Sequence, residues 1–300
     1  MRFFKETNID FLGMRKFGFV ISTSLILAGL ISLFLQGGPR LSIDFEGGTL
    51  VQIRFKNPTQ TSKLREALAQ LNLGKSEIQT FGEPNEVLIR LQKSQDAELL
   101  VEELTKTIKN VMPEEEPDFR RVETVGPKIG SELSGKAFLA ILSAIAGILI
   151  YISVRFELKF AVGAIVALIH DVLITLGIFS IMNYEISLSI IAAFLTIVGY
   201  SLNDTIVVFD RVRENLKRLR QEPYTFIMNK SINESLSRTI ITSLTTFVVV
   251  FVLWVAGGEV IKYFAFAMII GVIVGTYSSI FIAAPAVVLW QEKFSETKAK

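Results

Sequence analysis

Six apolar stretches dominate the sequence: Phe17–Leu35, Ala137–Val154, Phe160–Met182, Ile186–Phe209, Thr239–Ala256 and Tyr263–Trp290. Together they hold 130 of the 300 residues. The chain has 31 Lys and Arg and 29 Asp and Glu, yet only two of these, Asp171 and Asp204, fall inside the stretches. An apolar run of about 18 residues or more covers the hydrocarbon core of a bilayer as a helix, because ~20 residues rising ~1.5 Å each span ~30 Å. The pattern predicts a six-span α-helical membrane protein. It excludes a soluble globular enzyme, a nucleic-acid-binding domain and a disordered chain. The chain has no cysteine, which removes disulfides, thiolate metal sites and thiol nucleophiles, and its single histidine leaves no cage for zinc. No enzyme activity, metal or cofactor is therefore expected.

Charge asymmetry orients the spans, since Lys and Arg favour the cytoplasmic ends of membrane helices. With the amino terminus inside, the cytoplasmic segments carry Arg2, Lys5, Arg15 and Lys16, then Arg155 and Lys159. The loop after the fourth span adds Arg211, Arg213, Lys217, Arg218, Arg220, Lys230 and Arg238, and the tail adds Lys293, Lys298 and Lys300. The two short outer loops carry only Lys262. Both termini are thus expected in the cytoplasm of a multi-pass protein. The first span follows a basic segment, but Gln36-Gly-Gly-Pro-Arg40 has no small-residue cleavage pattern, so it reads as a retained anchor. The division expected is 1–36 for the amino terminus and first span, 37–136 for an outer domain, 137–292 for five further spans with a basic loop at 210–238, and 293–300 for the tail.

Residues 37–136 are enough for one small domain. Leu41–Phe55 reads as a strand interrupted by Gly47-Gly48, and Thr59–Leu73 as a helix carrying Leu64, Leu68 and Leu71 on one face. Glu77–Phe81 and Glu86–Leu91 read as strands around the turn Gly82-Glu-Pro-Asn85. Asp96–Met112 reads as a helix stopped by Pro113, and Asp118–Val125 as a last strand. The order βαββαβ is that of a ferredoxin-like α+β domain. No nucleophile–base set is visible in it, and Glu114-Glu-Glu116 reads as a solvated loop. The paired glycines of Asp44-Phe-Glu-Gly-Gly-Thr49 read as a bulge or close backbone approach; a phosphate nest is the weaker alternative, because no helix follows them.

Ionisable residues in a bilayer cost about 2.5–3.5 kcal/mol each on insertion scales, so they face a bundle interior and mark function. Helical spacing puts Thr196, Tyr200, Asn203, Asp204 and Arg211 on one stripe of the fourth span. On the fifth span, Arg238, Thr242, Thr245 and Thr246 form a polar face. Arg238 and Thr242 are expected at the depth of Asp204, about 7.5 Å from the inner end of the fourth span. An Asp204–Arg238 pair with Thr242 as hydrogen-bonding neighbour follows. Such a carboxylate either loads and releases protons or serves as a static lock between two helices; the pattern leaves both open. His170 and Asp171 point about 100° apart on the third span and are not expected to form a dyad. They read first as helix-packing groups and second as members of a proton path. Gly271-x-x-x-Gly275 is a close-packing motif. The basic run Asp210–Arg220 reads as an anchor at the lipid surface rather than a docking site.

The run Val198-Gly-Tyr-Ser-Leu-Asn-Asp-Thr-Ile-Val-Val-Phe-Asp-Arg-Val-Arg-Glu-Asn215 resembles the signature of the bacterial SecD/SecF protein-export membrane proteins, on the SecF side of that family. Ile43-Asp-Phe-Glu-Gly-Gly-Thr49, with Asp44, Gly47 and Gly48, resembles the family motif after the first span. Val125-Gly-Pro-Lys-Ile-Gly130 resembles the connector into the second, and Ala167-Leu-Ile-His-Asp171 the third-span motif. The resemblance implies a place in the resistance-nodulation-division superfamily and an obligate complex with SecD. It implies association with the SecYEG channel, with YajC as a further associate, in the bacterial inner (plasma) membrane. It implies use of the proton-motive force, without a cofactor, to assist movement of exported polypeptides on the outer face after SecA has acted. It implies a proton relay at Asp204, Arg238 and Thr242. Asn203, Tyr200, His170 and Asp171 read from the spans as a polar network around it, and no nucleic-acid partner is expected. A half-transporter of the same superfamily, exporting small molecules by proton antiport, is the alternative; six spans rather than twelve argue against it. An intramembrane aspartyl protease would carry Gly-x-Gly-Asp where this chain has Ser201-Leu-Asn-Asp204.

Overall fold

A computed structural model describes residues 7–58, 61–74, 76–91 and 97–298. The elements run α1 (Arg15–Leu35), α2 (Ile43–Glu46), β1 (Gly48–Arg54), α3 (Thr61–Gln70), β2 (Glu77–Thr80), β3 (Glu86–Leu91) and α4 (Ala97–Val111). After a 3-10 turn at Pro113–Glu115 come β4 (Asp118–Val125), α5 (Pro127–Arg155), α6 (Leu158–Ile181), α7 (Leu188–Arg218), α8 (Tyr224–Ala256), α9 (Glu259–Ser278), a π-helical turn (Ser279–Ala283) and α10 (Ala284–Lys298). The expected helix starts at Thr59 and Asp96, and the charges of Arg2, Lys5 and Lys300, lie outside what is described. The chain divides into two compact units, Leu41–Leu139 on one side and the residues before and after it on the other.

The smaller unit is built on a four-stranded antiparallel sheet of order β2-β3-β1-β4. Alternation along the strands sends Val51, Ile53, Phe55, Val87, Ile89 and Leu91 to one face. There they pack on Leu64, Ala67 and Leu68 of α3 and on Leu104, Ile108 and Met112, on and just past α4. Leu41–Phe55 is not the single interrupted strand expected. Ser42 caps a helical turn instead, its Oγ accepting from the Asp44 amide at 3.2 Å, and Asp44 and Glu46 lie in the first turn, where carboxylates favour a helix start. Gly47 and Gly48 then swing the chain into β1 with φ of 73° and 128°. A side chain at Gly48 would also meet the Leu91 carbonyl oxygen at 2.9 Å, so the close-approach reading of this pair holds. Gly130, in the first turn of α5, sits against the same corner: a Cβ there would lie 2.9 Å from the Phe45 carbonyl oxygen and 3.1 Å from the Gly47 amide nitrogen.

The larger unit holds most of the apolar helices. Among the described residues, six helical spans are long and apolar enough to cross a membrane. α6, α7 and the α9–α10 span form the interior, while α1, α5 and α8 are largely exposed. Small residues set the closest approaches. At the α1–α6 crossing a Cβ on Gly29 would lie 2.6 Å from the Gly177 Cα. Gly271 fits under Ile197, and Gly275 against Ser201, which gives the Gly271/Gly275 pair its packing role. Lower in the bundle, Phe160 and Phe209 meet at 5.0 Å within a cluster that includes Phe156, Val212, Met228, Ile232, Val287 and Val288.

Three helices outrun the apolar stretches that predicted them. α7 continues through the basic run to Arg218, and its 31 residues reach about 46 Å, well beyond a bilayer core. α8 starts fifteen residues before Thr239, at Tyr224, just after Pro223. α5 starts ten residues before Ala137, at Pro127. The α7–α8 hairpin so formed neutralises much of its own charge. Asn215 donates to Ser231 Oγ at 3.0 Å and to Glu234 Oε2 at 2.8 Å. Glu234 pairs with Arg218 at 3.2 Å and Arg211 at 3.7 Å, and Asp210 pairs with Arg155 at 3.0 Å and Arg213 at 3.5 Å. The hairpin also grips the segment before α1. The Asn229 side chain accepts from the Phe11 and Leu12 amides and donates to the Ile9 carbonyl, while Asn233 bonds the Ile9 amide and the same carbonyl.

Candidate functional site in the membrane bundle

Asp204 lies on α7, one per cent exposed, on the face that meets α8 and α9. Ser243 of α8 donates its hydroxyl to Asp204 Oδ2 at 3.2 Å. The same Ser243 oxygen is 2.6 Å from the Thr276 hydroxyl of α9, which reaches the Val272 carbonyl at 2.7 Å. The hydroxyls of Thr242 and Thr276 and the charge of Arg238 also act on this carboxyl group.

This row of hydroxyls can run in two directions. With Asp204 ionised, Thr276 donates to Ser243 and Ser243 to the carboxylate. With Asp204 protonated, the carboxyl donates to Ser243, Ser243 to Thr276, and Thr276 to the Val272 carbonyl. Each hydroxyl is one donor and an acceptor, so both states are satisfied by rotating hydrogens alone. An unpaired polar group in this interior would cost about 1–3 kcal/mol, and the arrangement avoids that cost on either side of a protonation step.

The hydrogen bonds around Asp204 differ from the expected Asp204–Arg238 pair. Thr242 does neighbour Asp204, yet its hydroxyl also bonds the Arg238 and Thr239 carbonyls at 3.0 and 2.9 Å. The residue that donates to Asp204 Oδ2 is the next one, Ser243, about 100° further round the helix. Among the described residues no ion pair joins Asp204 to Arg238, which is exposed. The polar stripe expected on α7 also divides. Asn203 and Thr196 are exposed, and Thr196 bonds its own Ala192 carbonyl at 2.8 Å. Arg211 turns to Glu214 at 2.8 Å. The Tyr200 hydroxyl is buried with no partner among the described residues. Adjacent residues such as Asn203 and Asp204 cannot share a helix face, and the buried face went to Asp204.

His170 and Asp171 do meet, contrary to expectation: Nδ1 lies 2.8 Å from Asp171 Oδ1. Their Cα–Cβ directions diverge, but an imidazole and a carboxylate are long enough to bend together where both are buried. Asp171 Oδ2 accepts from Ser201 of α7 at 2.5 Å and from Ser278 of α9 at 2.8 Å. On the other side, His170 Nε2 is 2.8 Å from the Ser22 hydroxyl of α1. The sequence reading missed Ser22, Ser201, Ser243, Thr276, Tyr277 and Ser278. The run Thr276-Tyr-Ser-Ser279, polar within an apolar span, was a signal for the last three. Asp44, Gly47 and Gly48 lie in the other unit, at the corner between α2 and β1.

Residues 103–293 match the family model described as protein export membrane protein SecD/SecF, C-terminal, and residues 32–59 match the SecD/SecF GG motif. The chain belongs to the SecD/SecF family. A protein translocase subunit SecF of Calditerrivibrio nitroreducens is 53% identical over 290 residues, covering 95% of this chain and 94% of that relative. One from Magnetococcus marinus is 50% identical over 291 residues, covering 96% and 93%. The crystal structure of SecDF from Thermus thermophilus, described as a translocon-associated membrane protein, superposes with a TM-score of 0.87 at 38% identity. That match covers 96% of this chain and 39% of the SecDF chain, so this chain spans about two fifths of that longer protein. Like these SecD/SecF proteins, it is a multi-pass membrane protein of protein transport, mostly helical, with a small antiparallel sheet.

Proposed function

We propose that this chain works as the SecF half of a SecD–SecF complex that draws on the proton-motive force to assist export of polypeptides through the Sec translocase. The observation that carries this is the buried Asp204 with its reversible row of hydroxyls, Ser243 and Thr276. The polar residues exposed beside it, Asn203 on α7 and Arg238 and Thr245 on α8, suit a second helical half that completes the proton path. SecD is the partner proposed, and Arg238 and Thr242 act on Asp204 as the relay's charge and hydroxyl neighbours. SecYEG and YajC are the proposed wider assembly, with SecA acting earlier on the preprotein. No cofactor is proposed beyond the proton gradient. We place the protein in the bacterial inner membrane with both termini in the cytoplasm. The sheet order β2-β3-β1-β4 and the two helices on one face support a ferredoxin-like unit, which the charge bias of the loops puts outside the cytoplasm.

The test is Asp204→Asn in vesicles holding this chain, SecD and the Sec channel. The complex is expected to assemble and the gradient-dependent release of an exported protein to be lost. Unchanged gradient-dependent release from an assembled Asp204→Asn complex would end the relay reading.

A further inference from the structure

The His170–Asp171 pair has a property that helix packing does not require. The groups that bond the pair directly are buried: Ser22, His170, Asp171, Ser201 and Ser278 are each at most five per cent exposed. The elements facing the pair are α1 with Ser22, α7 with Ser201, and α9 with Tyr277 and Ser278. The Tyr277 ring stacks on the imidazole at 6.0 Å between centroids, 26° from parallel. Tyr277 is the one further titratable group among these neighbours, and Asp204 lies one turn beyond Ser201 on α7. Tyr277 donates its hydroxyl to the Gly18 carbonyl at 2.6 Å, leaving its oxygen free to accept from Ser22 at 3.1 Å.

The hydrogen-bond polarity therefore closes in two ways. With a neutral ring, Nδ1–H donates to Asp171 and Nε2 accepts from Ser22. With a doubly protonated ring, Nδ1–H still donates to Asp171, Nε2–H donates to Ser22, and Ser22 turns its hydrogen to Tyr277. Only the Ser22 hydroxyl rotates; no heavy atom moves and every donor in the row keeps an acceptor. Asp171 keeps three donors in both states, which balances the ring's positive charge when it forms.

We propose that His170 and Asp171 form a second proton-binding site of the bundle, separate from Asp204, with Ser22 as its switching hydroxyl. It is tied to the first site along two helices. On α7, Ser201 precedes Asp204 by three residues. On α9, Ser278 follows Thr276 by two. A proton gained here recharges the contact with α1, so this site links the first helix to α7, which carries Asp204. Its role in transport rests on the proton-driven function above, whereas its existence as a proton site does not.

The single histidine makes the test direct. The full-length chain, 15N-labelled at histidine and embedded in lipid bilayers, is followed by nitrogen NMR over a pH series. The expected result is exchange between a neutral Nδ1–H ring and a doubly protonated ring. In Asp171→Asn the doubly protonated signal is expected to be lost, and in Ser22→Ala, where Nε2–H loses its acceptor, the doubly protonated form is expected only at lower pH than in the parent. A ring that keeps one form across the series overturns the proposal. So does an Asp171→Asn spectrum that matches the parent while the folded chain is retained, as judged by the other helices' signals. Loss of transport in Asp204→Asn alongside an unresponsive ring would leave the function standing and remove the second site. A responsive ring with gradient-independent transport would do the reverse.

Discussion

At the scale of single residues, the chain uses glycine and hydroxyl side chains where geometry leaves no substitute. Gly48 combines a φ of 128° with the Leu91 carbonyl close above its Cα. Gly48→Ala is expected to destabilise the smaller unit by about 1–3 kcal/mol, since the new Cβ meets both a disfavoured backbone region and a fixed carbonyl. Thermal unfolding of the full chain, followed by protease resistance of residues 41–139, would check this; unchanged resistance would mean that the corner can relax. The double glycine was legible as a backbone requirement from the sequence. The helical turn before it was not, because Ile43 and Phe45 alternate with polar residues as a strand's would, and only the Ser42 cap tips the balance. Asp204 was legible for a simple reason: a lone carboxylate in an apolar span has to be satisfied somewhere. Its partner was legible only to within one residue, because a polar run such as Thr242-Ser243 does not reveal which of the two hydroxyls faces inward.

At the scale of elements, apolar length marks where a helix crosses lipid but not where it ends. α7 and α8 extend past their apolar stretches and pair as a hairpin, held by Asn215, Glu234 and the arginines around them. The basic run therefore spends part of its charge within the protein, which a count of positive residues cannot reveal. The same hairpin holds the segment leading into α1 through Asn229 and Asn233, one turn apart, which bond main-chain atoms rather than side chains. Replacing both by alanine is expected to speed amide hydrogen exchange at Ile9 and Leu12 by about fivefold, because each loses its side-chain acceptor, worth about 1 kcal/mol net. Exchange at those two amides equal to the parent's would show that the segment is held by apolar packing alone. The bonds were invisible in sequence since asparagine on a helix carries no sign of what it will grip.

At the scale of the whole molecule, the chain carries two separate apolar cores, one under the four-stranded sheet and one inside the bundle. Their solvents differ. The first core is held by exclusion from water, and the second by close packing among helices that would otherwise face lipid. In detergent with rising urea, the smaller unit is expected to unfold in its own cooperative transition while the bundle stays helical. Residue-resolved proteolysis would show loss of protection across 41–139 first; a single transition over the whole chain would contradict this. The division into an inserted domain and a set of spans was readable from apolar length alone, because the two kinds of segment differ so sharply in composition. What the sequence could not convey was angular: which side of each long helix turns inward once six of them pack.

That angle is set most sharply at one place. Between α9 and α10, Ser279–Ala283 winds as a π-helix, taking about one residue more per turn than its neighbours. An added residue advances everything after it by about 100°. Upstream, Thr276 and Ser278 face the two carboxylates; downstream, Val287 and Val288 face the phenylalanine-rich core. The wide turn works as a phase offset between two registers on one span, so that a polar seam and an apolar seam can each point inward at its own depth. Were it to tighten into regular α-helix, one seam would have to rotate out of alignment with the other, and the hydroxyls of α9 would turn relative to the core that anchors α10.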